Sequence, residues 1–96
     1  MILTNRQLFL KHLGQTSPSP LLLEVEKAEG VFMYGPSGEK YLDLISGVSV
    51  SNTGHRHPRV VKAIKDQTEK FLHISADFYH ESWIKLGERL DQIAPF

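Results

Sequence analysis

What this sequence lacks excludes several classes of protein. It has no cysteine, which excludes a disulfide framework, a thiolate zinc site and a cysteine nucleophile, and which fits a reducing compartment. Its eleven basic and eleven acidic side chains leave no net formal charge, which argues against a nucleic-acid or anionic-membrane surface. The aliphatic run at residues 21–23 is only three leucines long, far short of a membrane span.

Motifs for secretion, nucleotide binding and hydrolysis are also missing. The first thirteen residues do not combine a basic stretch with an apolar run, so we expect no signal peptide and a cytoplasmic location. The seven glycines form neither G-x-G-x-x-G nor a P-loop, and no nucleophile elbow surrounds a serine. We therefore predict no catalytic residue and no independent catalytic constellation in these 96 residues.

The first third of the chain predicts a short helix followed by a strand. Thr4 and Gln7 have the spacing of a capping box at a helix start, and Gly14 is placed to end that helix in a left-handed conformation. After the proline-containing linker, residues 23–26 alternate between apolar and acidic, which predicts a half-buried strand. Gly30 is expected to break or bend it.

The remainder predicts a β-hairpin, a loop and two helices. Residues 31–34 and 40–44 are rich in β-branched and aromatic side chains and flank the turn residues 35–38, which favours a hairpin. Residues 46–57 form a polar loop, either a plain connector or a ligand-binding loop. Helices are predicted over residues 58–71 and 82–93, separated by an irregular stretch.

The predicted elements indicate an α+β fold with incomplete packing. The helix predicted over residues 82–93 places four apolar side chains on one face: Trp83, Leu86, Leu90 and Ile93. No predicted element covers that face or the outer face of the hairpin. We therefore expect both helices to pack against further protein.

The histidines allow a metal hypothesis that the spacing does not favour. His55 and His57 would face one side of an extended segment, and His73, Asp77 or His80 would be the further ligands. This spacing matches no strong zinc signature. A structural interpretation is preferred, because a histidine precedes the helix start and a glycine permits a tight turn; we predict no metal site.

Several short pieces together resemble the opening of the class-III aminotransferases. After Gly30, residues 35–44 read GPSGEKYLDL, residues 46–47 read SG, residues 52–58 read NTGHRHP and residues 61–67 read VKAIKDQ. The family shows a D-x-x-G-x-x-Y-L-D hairpin, a G-H-x-H-P corner and a V-x-x-A-I-x-x-Q helix in the same order. The resemblance runs from about residue 23 to residue 95. Where the family often has Asp or Asn before its turn, this chain has glycine.

The resemblance implies a piece of a fold-type-I transferase that depends on pyridoxal 5'-phosphate. Such enzymes move an amino group between an amino acid or amine and a 2-oxo acid, and they are homodimers with active sites at the subunit interface. Residues 1–96 would be the N-terminal segment, part of the small domain and the start of the large one, without the cofactor domain. No lysine here matches the family's Schiff-base context, so we predict no cofactor-binding residue and no transamination by this chain alone.

By the same resemblance, three residues are candidates for contact with substrate. Val48 and Ser49 belong to the loop that lies near the substrate's side chain, and Tyr79 matches an aromatic position near the pocket mouth. Ordinary packing of these side chains is an equally weighted alternative, and substrate specificity is not carried over. A second hypothesis for the whole chain is a non-catalytic α+β interaction module derived from the same family.

Overall fold

The structure is a computed structural model that describes residues 1–95, and it confirms the α+β class. Its elements follow in chain order: α1 (Asn5–His12), β1 (Lys27–Glu29), β2 (Phe32–Tyr34), β3 (Lys40–Leu42), α2 (Ser46–Ser49), α3 (Pro58–Thr68) and α4 (Glu81–Ile93). The chain divides into two compact units, residues 1–62 and the described residues from Ala63 onward. Each unit is described separately.

Helix α1 begins as predicted and ends differently. The Thr4 hydroxyl accepts a hydrogen bond from the Gln7 N–H at 3.3 Å, and the Gln7 side chain accepts one from the Thr4 N–H at 2.9 Å. This confirms the capping box. The left-handed terminator at Gly14 was wrong, because Leu13 already leaves the helix in an extended conformation with φ −109°. No left-handed residue is needed after it.

The strand predicted over residues 23–26 does not form, since β1 begins at Lys27. Leu22 has a φ of 55°, which interrupts an extended backbone. Its carbonyl oxygen accepts a hydrogen bond from the Arg6 guanidinium at 3.0 Å, so this segment lies beside α1. The expected alternation of burial is also absent, because Leu23, Val25 and Glu26 are all exposed while Glu24 is half-buried.

A three-stranded antiparallel sheet with strand order β1-β2-β3 forms the centre of the first unit. The predicted hairpin is confirmed as β2 and β3, with Phe32 opposite Leu42 and Tyr34 opposite Lys40. Gly30 ends β1 with a φ of 58°, as expected, and the chain turns back through two residues into β2. The predicted break at Gly30 therefore creates an additional hairpin.

The second unit contains the end of α3, an irregular stretch and α4. Helix α3 begins at Pro58 as predicted but ends at Thr68, three residues before the expected end. Helix α4 begins at Glu81, where the His80 ring accepts a hydrogen bond from the Trp83 N–H at 3.3 Å. The His80 ring lies between those of Phe71 and Trp83, at centroid distances of 5.7 Å and 5.9 Å.

Within residues 1–95 no hydrophobic side chain is buried. The four apolar side chains of the α4 face are between 50% and 67% exposed, which confirms the expectation of an uncovered helix face. Apolar patches of this kind on natural proteins are normally covered by other protein. In the described part of the chain, no helix has the length and apolar character needed to cross a membrane.

Candidate functional site

The loop that the sequence marked as polar contains an unusual backbone. Ser46, Gly47, Val48 and Ser49 all have positive φ, between 55° and 72°. Element α2 is therefore a left-handed turn. This conformation costs roughly 1–2 kcal/mol for each residue other than glycine, and it is a genuine outlier for a β-branched residue. Surrounding contacts must compensate for that cost.

Backbone hydrogen bonds close the turn on itself. The Val48 N–H donates to the Ile45 carbonyl at 3.1 Å, and the Ser51 N–H donates to the Ser46 carbonyl at 2.9 Å. The Gly54 N–H then donates to the Ser51 carbonyl at 2.9 Å. These bonds hold the turn in one defined conformation, so it is not a loose connector.

Asp43 holds the start of this loop. One carboxylate oxygen, Oδ1, accepts hydrogen bonds from the N–H groups of Ile45 and Ser46, both at 2.9 Å. The other, Oδ2, lies 2.5 Å from Nε2 of His55, twelve residues later. The Asp43 side chain is only 6% exposed. The N–H groups of Ser46 and Ile45, followed by the His55 ring, lower the pKa of the Asp43 carboxyl below its ordinary value of 3.8.

His55 fixes the end of the loop to the sheet. Its N–H donates to the Gly30 carbonyl at 2.7 Å, and the Gly30 N–H donates to the His55 carbonyl at 2.9 Å. Gly54 has a φ of 87°, and a Cβ there would lie 3.2 Å from the Gly30 carbonyl oxygen. The glycine at position 54 thus permits both the turn and the close approach of the two backbones.

The three predicted substrate-contact residues fall in two places. Val48 and Ser49 are neighbours in the left-handed turn, and the Val48 side chain is 84% exposed. Val50 is equally exposed at 85%, but its φ of −71° is ordinary. Tyr79 lies in the irregular stretch of the second unit, where it is 89% exposed.

The histidines have structural contacts in place of metal-ligating geometry. Arg56 has a φ of 55°, so the extended segment expected to align His55 with His57 was wrong. The His57 ring accepts a hydrogen bond from the Arg59 N–H at 3.3 Å, and the His80 ring caps α4. Within residues 1–95 no three His, Asp or Glu side chains are arranged to hold a metal ion.

The Asp43–His55 pair was not predicted from the sequence. An aspartate just after a strand is a signal for a side chain that accepts N–H groups two and three residues later. The partner of its second oxygen depends on the bridge between Gly30 and His55, which local pattern does not reveal. The pair therefore became visible only in the structure.

A groove of about 720 Å³ lies between α1 and the segment that follows the proline linker. Most of its lining is apolar and includes Leu8, Phe9, Leu13, Leu22 and Leu23. None of the three predicted substrate residues and no lysine lines it. Its chemistry is that of a packing surface, with few polar groups to orient a small molecule.

The described residues do not form a site for pyridoxal 5'-phosphate. That cofactor requires a lysine held in a pocket for its Schiff base and a set of N–H groups for its phosphate. All seven lysines are exposed. Lys27 lies over the Tyr34 ring, Lys40 lies over the Phe32 ring, and Lys85 pairs with Glu81 at the surface. We therefore assign no step of cofactor chemistry to these residues.

Comparisons with known proteins identify the family. The profile described as "Aminotransferase class-III" matches residues 14–96. An ornithine aminotransferase of Brevibacillus brevis is 43% identical over 80 residues, which are 83% of this chain and 20% of that protein. Ornithine aminotransferase 2 of Staphylococcus aureus is 39% identical over 82 residues, which are 85% of this chain and 20% of that protein.

Solved structures show the same likeness. The acetylornithine aminotransferase of Elizabethkingia anophelis superposes with a TM-score of 0.74 and 37% identity, covering 90% of this chain and 20% of that one. The taurine:2-oxoglutarate aminotransferase of Bifidobacterium kashiwanohense, solved in complex with PLP and glutamate, superposes with a TM-score of 0.83 and 26% identity, covering 92% of this chain and 20% of that one.

This chain spans about a fifth of the length of the relatives that it matches. The family depends on pyridoxal phosphate. The matched residues include the hairpin, the left-handed turn, the Asp43–His55 pair and both later helices. The chain belongs to the class-III aminotransferase family and corresponds to the N-terminal segment of its members.

Proposed function

We propose that this chain works as the N-terminal part of a longer aminotransferase that moves an amino group between an amino acid or amine and a 2-oxo acid. The family match over residues 14–96 is the observation that carries the proposal. The absence of any buried hydrophobic side chain among residues 1–95 supports it, because such a segment needs further protein to cover its apolar faces. Pyridoxal phosphate would be held by the remainder of the enzyme.

The two compact units support the proposal that the segment contributes to two domains of the enzyme. We propose that residues 1–62 contribute to the small domain and that the following residues begin the large domain, in agreement with the observed division after Lys62. The enzyme would be a cytoplasmic homodimer. The absence of net charge favours association of two copies, because no charge repulsion opposes it.

In this enzyme the segment would shape the substrate entrance. Val48 and Ser49 lie in a strained turn that local backbone hydrogen bonds hold, and strained residues concentrate at ligand sites. Their role would be to contact the substrate's side chain, and Tyr79 would lie near the mouth of the substrate pocket. The chain's residues would bind and orient the substrate, while proton transfer and cofactor chemistry belong to residues elsewhere in the enzyme.

The test uses the longer polypeptide that carries this segment, purified with pyridoxal phosphate. Ornithine and N-acetylornithine are the first amino donors to try and 2-oxoglutarate the first acceptor, because these compounds appear in the names of the matched proteins. We expect a cofactor absorbance band and transfer of the amino group to the 2-oxo acid. The matched control is the 96-residue chain under the same conditions, which is expected to show neither.

Three other results of these experiments would contradict part of the proposed function. A longer polypeptide that transfers no amino group from any amino acid or amine would favour the non-catalytic interaction module, as would a native reading frame that stops after residue 96. A stoichiometric, borohydride-reducible adduct at one lysine of the 96-residue chain would overturn the assignment of the cofactor site to the remainder of the enzyme.

A further inference from the structure

We propose that Asp43 and His55 are positioning residues for the substrate, because together they hold the turn that carries Val48 and Ser49. This inference rests on the proposed function and deepens it. It assigns to these two side chains a role exerted through the turn and not through contact with the substrate.

The geometry supplies the first step of the argument. A single carboxylate contacts both ends of the loop: Oδ1 accepts the Ile45 and Ser46 N–H groups at its start, and Oδ2 accepts the His55 Nε2–H at its end. Because the Asp43 side chain is only 6% exposed, little water competes for these oxygens. The two ends of the loop are thereby held at a fixed separation.

The second step concerns what the loop is attached to. The Asp43 N–H donates to the Val31 carbonyl at 2.9 Å, and His55 exchanges two backbone hydrogen bonds with Gly30. Gly30 and Val31 are the two residues that connect β1 to β2. Both ends of the loop are therefore anchored to the same hairpin connection, and the Asp43–His55 contact couples these two anchors.

The third step is the strain at Val48. Its φ of 56° and ψ of 56° are unfavourable for a β-branched side chain, whereas Val50, two residues later, has φ −71° and ψ −39°. The two side chains are equally exposed, so burial does not hold Val48 in this conformation. The hydrogen bonds inside the turn and the fixed ends of the loop together hold Val48 in this conformation, and a loop released at one end would relax toward ordinary backbone angles.

Loss of the pair should therefore change substrate binding more than turnover. A displaced Val48 loses contacts that are made equally in the bound substrate and in the transition state, and losing such contacts raises KM with little change in kcat. A role in folding alone would instead lower the melting temperature, the amount of active enzyme and the apparent kcat, and would leave KM unchanged.

The experiment uses the longer enzyme with bound pyridoxal phosphate and compares three variants. His55→Ala removes the donor to Oδ2 of Asp43, and we expect KM for the amino donor to rise roughly tenfold while kcat stays within about twofold. His55→Gln restores an N–H donor and is expected to recover most of the loss. Asn52→Ala, an exposed position in the same loop, is the matched control and should leave KM unchanged.

Asp43→Asn is a fourth variant, which keeps the acceptor for the Ile45 and Ser46 N–H groups and changes only the group facing His55. We expect it to raise KM in the same direction as His55→Ala, by a smaller factor. Cofactor absorbance and the melting temperature, measured on every variant, show whether each protein is folded and loaded.

The outcomes separate this inference from the proposed function. A wild-type enzyme without transaminase activity contradicts the proposed function, and with it the premise of this inference. An active wild-type enzyme whose His55→Ala variant keeps its KM overturns the positioning role alone, as does a fall in kcat and melting temperature at constant KM. A raised KM that His55→Gln does not recover also contradicts it, since the hydrogen bond would then not be responsible.

Discussion

The left-handed loop and helix α4 are stabilised in opposite ways. In the loop, backbone hydrogen bonds and the Asp43 carboxylate hold the chain, and the end of the loop is bonded to Gly30 in the sheet region. In α4, backbone bonds are also formed, but the apolar face of Trp83, Leu86, Leu90 and Ile93 stays open. The difference shows that this segment supplies many of its own polar contacts but buries no hydrophobic side chain among the described residues, and we propose that other protein supplies its hydrophobic stabilisation.

The largest effect on folding is expected when the 96-residue segment is studied apart from the longer enzyme that we propose covers its apolar faces. Because no hydrophobic side chain among residues 1–95 is buried, the 96-residue chain alone should self-associate or be partly disordered. Sedimentation and thermal melting measure this directly. A single monomeric species in sedimentation, together with a cooperative melting transition, would show that the α4 face is stable without other protein. The loop and α4 would then no longer differ in their need for outside contacts.

A single substitution on the α4 face tests the same contrast in the longer enzyme. If the face is covered there, Trp83→Ala should lower the free energy of unfolding by about 3–5 kcal/mol through lost burial and the cavity left behind. The matched control is Lys85→Ala on the same helix, whose side chain is exposed and bonds only Glu81 at the surface. Denaturant unfolding compares the two, and equal small effects would contradict a covered face.

The stability of the left-handed loop should depend on its backbone geometry and not on buried apolar area. Gly54→Ala places a Cβ at a φ of 87° and 3.2 Å from the Gly30 carbonyl oxygen, so we expect a loss of roughly 1–2 kcal/mol or more. Gly87→Ala in α4 is the matched control, because a Cβ there has nothing within 4 Å. It should stabilise the helix by about 0.5–1 kcal/mol. Melting of both variants in the longer enzyme gives the sign of each effect.

The smallest expected effect is the pH dependence of the stability that the loop contributes through Asp43. The pKa of Asp43 is lower in the folded chain than its ordinary value of 3.8, because the carboxylate accepts N–H groups and the His55 donor. The unfolded state therefore binds the proton more readily, and the stabilisation is present above pH 3.8 and is lost as the pH falls through the folded pKa. Asp43→Asn should flatten this part of the stability profile. An unchanged profile would show that the carboxylate is not ionised in this contact.

The sequence was sufficient where one short pattern determines the structure. Thr4 and Gln7 are in direct contact and only three residues apart in the chain, so their capping box followed from spacing alone. Pro58 marked the start of α3 for the same kind of reason. Gly30 was likewise correctly predicted to interrupt the strands. The amphipathic face of α4 was also predicted correctly, because its period is local.

The sequence did not predict the features that depend on contacts between residues far apart in the chain. Residues 23–26 alternate like a strand, but the left-handed backbone of Leu22 and the bond from Arg6 place them beside α1. The Asp43–His55 pair depends on a bridge between Gly30 and His55, 25 residues apart in the chain. The candidate substrate loop was predicted as a loop, while its left-handed backbone at Val48 was not, because valine rarely adopts that conformation.

The row of rings that begins at Phe71 and ends at Trp83 has a practical consequence. Trp83 is the only tryptophan in the sequence, and it is half exposed on the face that we expect to be covered in the longer enzyme. Its fluorescence therefore provides a built-in optical reporter of assembly. Docking of this segment onto the remainder of the proposed longer enzyme should shift the emission to shorter wavelength, without any attached dye.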